Sequence, residues 1–204
     1  MMLRSLVVVV AVAFVVACDR SPAAPTTDRA ASLSPSAASI VATDAAPVAA
    51  TALAQGRQDV IVNMQDACDP DTFNAAVGPG TCVRAGGMQF DRFIAQLTRL
   101  GFVGPWRFAP NEANVHVGQT FVAANNGGEV HTFTEVADFG GGIVPGLNAL
   151  AGVPIVAPEC KALESDDFVA PGATYREDVE HAGHLKFQCC IHPWMRLEAK
   201  SSSR

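Results

Sequence analysis

Phe187-Gln188-Cys189-Cys190-Ile191-His192-Pro193-Trp194-Met195 is the stretch on which the reading of this chain turns. A thiol, an imidazole and a thioether follow one another in it as Cys189-x2-His192-x2-Met195. A thiolate and imidazoles close in, with a weak thioether further out, form a donor set that stabilises copper. One tight loop can bring these three groups to one ion, but it cannot supply a second imidazole. His131 is the best candidate for that, in Glu129-Val130-His131-Thr132-Phe133 just after the turn residues Asn125-Asn126-Gly127-Gly128. The competing readings are plainer. Adjacent cysteines can be disulfide partners, a His–Met pair can be core, and Cys189 with His192 can be a thiol nucleophile and its base. The nucleophile reading lacks a third orienting group and leaves Met195 unexplained.

Around this stretch the chain reads as short strands. From Pro105 onward, Val115 and Val117, then Phe121 and Ala123, follow a rough period of two, and Val130 to Val136 is a further strand candidate. Gly140-Gly141-Gly142 and Pro171-Gly172 break the pattern before the late strands Leu185 to Cys189 and Met195 to Ala199. Many short strands with Gly and Pro turns predict a β-sandwich over 105–204. Residues 58–104 read instead as a helical extension. Asp69-Pro70 has the form of an N-cap followed by Pro at the first helical position. Phe90, Phe93, Ile94, Leu97 and Leu100 line one face of an amphipathic helix closed by Gly101.

The N-terminal part reads as processing and tether. Arg4 precedes an apolar run, Leu6 to Ala17, too short to span a bilayer comfortably. It ends in Val15-Val16-Ala17-Cys18, which resembles a bacterial lipobox, so 1–17 is expected to be a lipoprotein signal peptide and Cys18 the lipidated residue. Residues 18–57, rich in Ala, Pro, Ser and Thr and without an aromatic, are expected to be a disordered tether. The expected location is the cell envelope: a membrane-anchored lipoprotein exposed to the periplasm or exterior, where disulfides persist. Charged residues are 17% of the chain, only three of them Lys, and the net charge is −6, which argues against a nucleic-acid partner.

From Trp106 to the end the chain resembles the cupredoxins, the type 1 (blue) copper family of plastocyanin and amicyanin. Phe108-x-Pro110, Val115-x-Val117-x2-Thr120, Asn125, His131, Pro171-Gly172-Ala173-Thr174-Tyr175 and the strand into Cys189 occur in the family's order. The short ligand loop with Pro after its His is most similar to that of amicyanin. The resemblance implies a mainly β, Greek-key sandwich with one type 1 copper near one end, held by His131, Cys189, His192 and Met195. It also implies that His192 lies in the loop nearest solvent as the electron port, with Pro193 and Trp194 as an apolar docking patch. Many relatives carry Asn directly after the first His; here that residue is Thr132, so the hydrogen bonding behind the ligands is expected to differ.

With Cys18 set aside, five cysteines remain, and an odd number in an exported chain leaves one free thiol. On the family's pattern that thiol is Cys189, since Cys190 stands too close to His192. Cys68 with Cys82 and Cys160 with Cys190 is the favoured arrangement among three possible pairings. His116, His181 and His184 are expected at the surface. The expected function is one-electron transfer with envelope redox proteins as partners. The alternatives are a copper carrier or sequestering protein without electron relay, and a metal-free interaction module. No second His-x-His cluster for further coppers exists, so an oxidase is not expected. An electron carrier of this kind is not expected to be an enzyme.

Overall fold

Alternating burial builds the strands of two sheets. In the computed structural model, which describes residues 58–203, the elements run in order from β1 (Val60–Gln65), α1 (Pro70–Ala76) and α2 (Phe90–Leu100) to β2 (Arg107–Ala109), β3 (Glu112–His116) and β4 (Thr120–Asn125). They continue with β5 (Thr134–Glu135), α3 (Pro145–Leu150), two single 3-10 turns, β6 (Thr174–Asp178), β7 (Gly183–Gln188) and β8 (Arg196–Ser202). The signal peptide expected at 1–17, the lipid site Cys18 and the tether 18–57 lie outside the described residues. Among the described residues no helix is long and apolar enough to cross a membrane.

One sheet has the order β2-β1-β4-β6 and the other β3-β8-β7-β5. Each mixes antiparallel pairs with one parallel pair, β1 with β4 and β3 with β8. Period two sends alternate side chains of each strand to the space between the sheets. From the first sheet come Val62, Met64, Phe121 and Ala123; from the second come Leu185, Phe187, Leu197 and Ala199, all in one core. Ring centroids of Phe121 and Phe187 are 5.1 Å apart, which joins the two faces directly. The protein is thus mainly β and a sandwich.

The boundary expected between a helical extension (58–104) and the sandwich (105–204) does not hold as drawn. β1 lies inside the extension yet is an inner strand of the first sheet, between β2 and β4. Its β-branched Val60-Ile61-Val62 favours a pleated strand, and Val62 and Met64 are fully buried. Only 70–100 is helical insertion. Asp69 caps α1 by accepting from the Thr72 backbone N–H at 2.9 Å, with Pro70 at the first turn. α2 ends at Gly101, whose φ of 76° is the left-handed closure that glycine takes at little cost. Phe93 and Leu97 are the buried face of α2, while Leu100 at the end of the stripe is exposed. Cys68 and Cys82 form a disulfide across α1.

Candidate metal centre

The centre forms where three segments meet. The first is the turn and loop leaving β4. Asn125, buried at the end of that strand, donates its side-chain N–H groups to the carbonyls of Glu129 (2.8 Å) and Val169 (2.7 Å) and accepts from the Gly127 N–H (2.9 Å). His131 is then held by a pair of backbone hydrogen bonds with Val169, at 3.2 and 2.8 Å. The second segment is the end of β7 and the loop after it. There the Cys189 N–H bonds the Met195 carbonyl (3.0 Å) and the Met195 N–H bonds the His192 carbonyl (2.9 Å), so Cys189-x2-His192-x2-Met195 closes on itself. The third segment is the end of β1, which carries Asp66.

Cys189, His131 and His192 converge. Cys189 Sγ lies 3.8 Å from Nδ1 of His131 and 3.8 Å from Nδ1 of His192. The three candidate ligand atoms all fall within 4.8 Å of one another, and all three residues are buried. Cys189 is the free thiol among the described residues, and Cys160 is paired with Cys190. The backbone N–H groups of Thr132 and His192 both point at Cys189 Sγ, each at 3.4 Å. Met195 is fully buried and bracketed by the loop's backbone bonds. Thr132, which stands where many relatives have Asn, accepts from the Cys190 N–H through its hydroxyl at 2.8 Å and so ties the two ligand segments together.

The electrostatics favour a thiolate. Burial alone would raise the Cys189 pKa, but hydrogen bonds from His131 and His192 and their charge hold it well below the usual thiol range. Burial likewise opposes a charge on His131, yet hydrogen bonds with Asp66 and Cys189 raise its pKa to about 9. Without a metal, these contacts favour an imidazolium against a thiolate, and a cation that displaces the proton meets a charged sulfur. A thiolate and two imidazoles facing one point, closed to water, are borderline and soft donors that fit copper.

Two carboxylates stand behind the rings. Asp66 Oδ2 is 3.0 Å from His131 Nε2, and Glu129 Oε2 is 3.6 Å from His192 Nε2. Trp106 Nε1 donates to the same Glu129 oxygen at 2.5 Å. Burial raises the Glu129 pKa, against the pull of His192 and the Trp106 hydrogen bond. Asp66 goes the other way. Burial would raise it, but hydrogen bonds from His131 and from the Glu129 and Gly128 N–H groups bring it to about 2.

His192 is not the solvent-facing residue of its loop. It is only 3% exposed and Pro193 is buried, whereas Trp194 is half-buried. The helical insertion packs behind Trp194, the ring beside His192. Phe93 of α2 packs on Trp106 (4.7 Å between centroids) and on Trp194 (6.0 Å), and Trp194 lies 5.5 Å from the His192 ring. His116, His181 and His184 are exposed, away from the cluster. Asp66, Glu129 and Trp106 were not singled out from the sequence. Glu129, two residues before His131, carried a local signal; Asp66, 65 positions before it, carried none.

No protein-family model matches the chain. No curated protein matches it either. Among solved structures, a purple cupredoxin from Nitrosopumilus maritimus is similar over 71% of this chain and 100% of its own, with 14% identity and a TM-score of 0.40. The reduced state of an amicyanin mutant is similar over 74% of this chain and 89% of its own, with 14% identity and a TM-score of 0.36. The Cu(I) form of another amicyanin mutant is similar over 47% of this chain and 73% of its own, with 18% identity and a TM-score of 0.33. These neighbours are cupredoxins.

Proposed function

We propose that this protein binds one copper ion, which His131, Cys189 and His192 would hold with Met195 as a weaker donor, and works as a one-electron carrier of the cell envelope. The observation behind the proposal is the buried Cys189 thiol, with an N–H or imidazole nitrogen aimed at its sulfur from both ligand segments. When bound, copper would supply a couple between Cu(II) and Cu(I), which this mixed donor set suits. The chain's residues do the rest. The Val169 bridge and Asn125 fix His131, the closed 189–195 loop fixes His192, and α2 backs Trp194 beside that ring. Fixed ligands limit rearrangement between oxidation states.

Burial of the site supports retention of the ion and so favours a relay over a carrier. It also moves the expected exit. With His192 covered, Trp194 is the ring that both neighbours it and reaches solvent, in a depression of about 290 Å³ shared with Gly101, Phe102, Ala151, Val153 and Arg196. Electron exchange with an envelope redox partner would then run through this face. Lipid on Cys18 and the 18–57 tether would hold the domain at the membrane while letting it move between partners.

The test is redox cycling of the copper-loaded protein in the presence of a competing chelator. Reversible one-electron cycling with the copper retained supports a relay, and it should persist in Met195→Leu at a raised potential. Rapid loss of Cu(I) with sluggish cycling would instead favour carriage.

A further inference from the structure

We infer that Asp66 is a positioning residue for the centre: it fixes the tautomer and orientation of His131 and, through its buried charge, biases the bound ion toward Cu(II). The inference rests on the copper reading above and adds a residue that no ligand motif contains.

The placement follows from the fold. β1 runs parallel to β4 with Met64 opposite Asn125, so the chain just beyond β1 meets the chain just beyond β4. Asp66 thereby faces Gly127, Gly128 and Glu129. Its carboxylate accepts from the Gly128 N–H at 2.8 Å, the Glu129 N–H at 2.9 Å and the Cys68 N–H at 3.2 Å. The last partner is His131 Nε2 at 3.0 Å, and the two side chains are only 0% and 1% exposed. A Cβ on Gly127 would collide with the Asp66 carboxylate, so glycine there permits the close approach.

Two consequences follow. A carboxylate on Nε2 keeps a proton on that nitrogen, which leaves Nδ1, the atom 3.8 Å from Cys189 Sγ, as the lone-pair donor. A buried negative charge one ring away from the ion also stabilises the more highly charged oxidation state, because screening by water is weak there. Ordinary neutral acceptors behind an imidazole would fix the tautomer without this second effect, so the two can be separated by removing the charge and keeping the shape.

The experiment compares wild type and Asp66→Asn as the copper-loaded full chain. The variant should retain the thiolate-to-copper band, because its amide oxygen can still accept a hydrogen bond. Its Cu(II)/Cu(I) midpoint should shift upward relative to wild type. A folded, copper-loaded variant with an unshifted or lowered midpoint overturns the inference. If the variant does not fold, wild type loaded with Cd(II) decides through nitrogen NMR: a proton on His131 Nε2 supports the assignment, and a proton on Nδ1 overturns it. Failure of wild type to take up copper at all would overturn the copper reading itself, and this inference with it.

Discussion

Phe93→Ala should unsettle both the fold and the cover over the centre. Phe93 is 2% exposed, and its ring meets Trp106 at 4.7 Å, Phe73 at 5.4 Å and Trp194 at 6.0 Å. Truncating a buried Phe costs about 3–5 kcal/mol, from lost transfer energy and from the cavity left behind. α2 sits at the surface with its other face in water, so partial collapse is open to it and the low end, about 3 kcal/mol, applies. With a urea slope of about 2 kcal/mol/M, the unfolding midpoint should fall by about 1.5 M. The assay is urea unfolding of the metal-free protein, followed by fluorescence of its two tryptophans, Trp106 and Trp194. In a second readout, a small water-soluble quencher should reach Trp194 more readily in the variant. A midpoint shift below about 0.3 M would mean that α2 is a loose appendage and does not form part of the core. The packing of α2 behind Trp194 would then be refuted.

Other expectations follow from the same geometry. Cys190→Ser should keep copper binding and lose the stability supplied by its bond to Cys160, typically about 2–4 kcal/mol, as unfolding curves would show. In the metal-free protein, the His131 pKa is raised from 6.5 to about 9, so its share of stability is complete below pH 6.5 and disappears as the pH rises through 9. The Asp66 pKa is lowered from 3.8 to about 2, so its share is present above pH 3.8 and is lost as the pH falls through 2. Between pH 6.5 and 9.5, metal-free wild type should therefore lose more stability than Asp66→Asn, and equal losses in urea midpoints would refute the pairing. At the N-terminus, Cys18→Ala should block lipoprotein processing and release the protein from membranes; unchanged fractionation with a lipid-free mature N-terminus would remove the anchor.

The sequence carried local patterns well and long-range pairings poorly. The stripe from Phe90 to Leu97 and the cap at Asp69 are written within single turns of chain, and the helices stand where those residues put them. The strand β1 is not legible locally, because it precedes two helices and pairs with β4, some 60 residues later and in parallel, a partnership no local period announces. That same pairing delivers Asp66 to His131, so the residue is hidden in the sequence along with the strand. Val130 to Val136 reads as one strand, but its pairing with β7 begins only at Thr134, because residues up to His131 are held by Asn125 and Val169 instead. The motif Cys189-x2-His192-x2-Met195 was legible because its loop closes on itself. Its covering was not, since the Phe93 ring that backs Trp194 beside His192 comes from roughly a hundred residues away.

The most direct measurement is the visible spectrum of the purified protein on addition of Cu(II). One equivalent should produce an intense thiolate-to-copper band in wild type and in Cys190→Ser, and none in Cys189→Ser. No band in wild type, or a band that survives in Cys189→Ser, would contradict it.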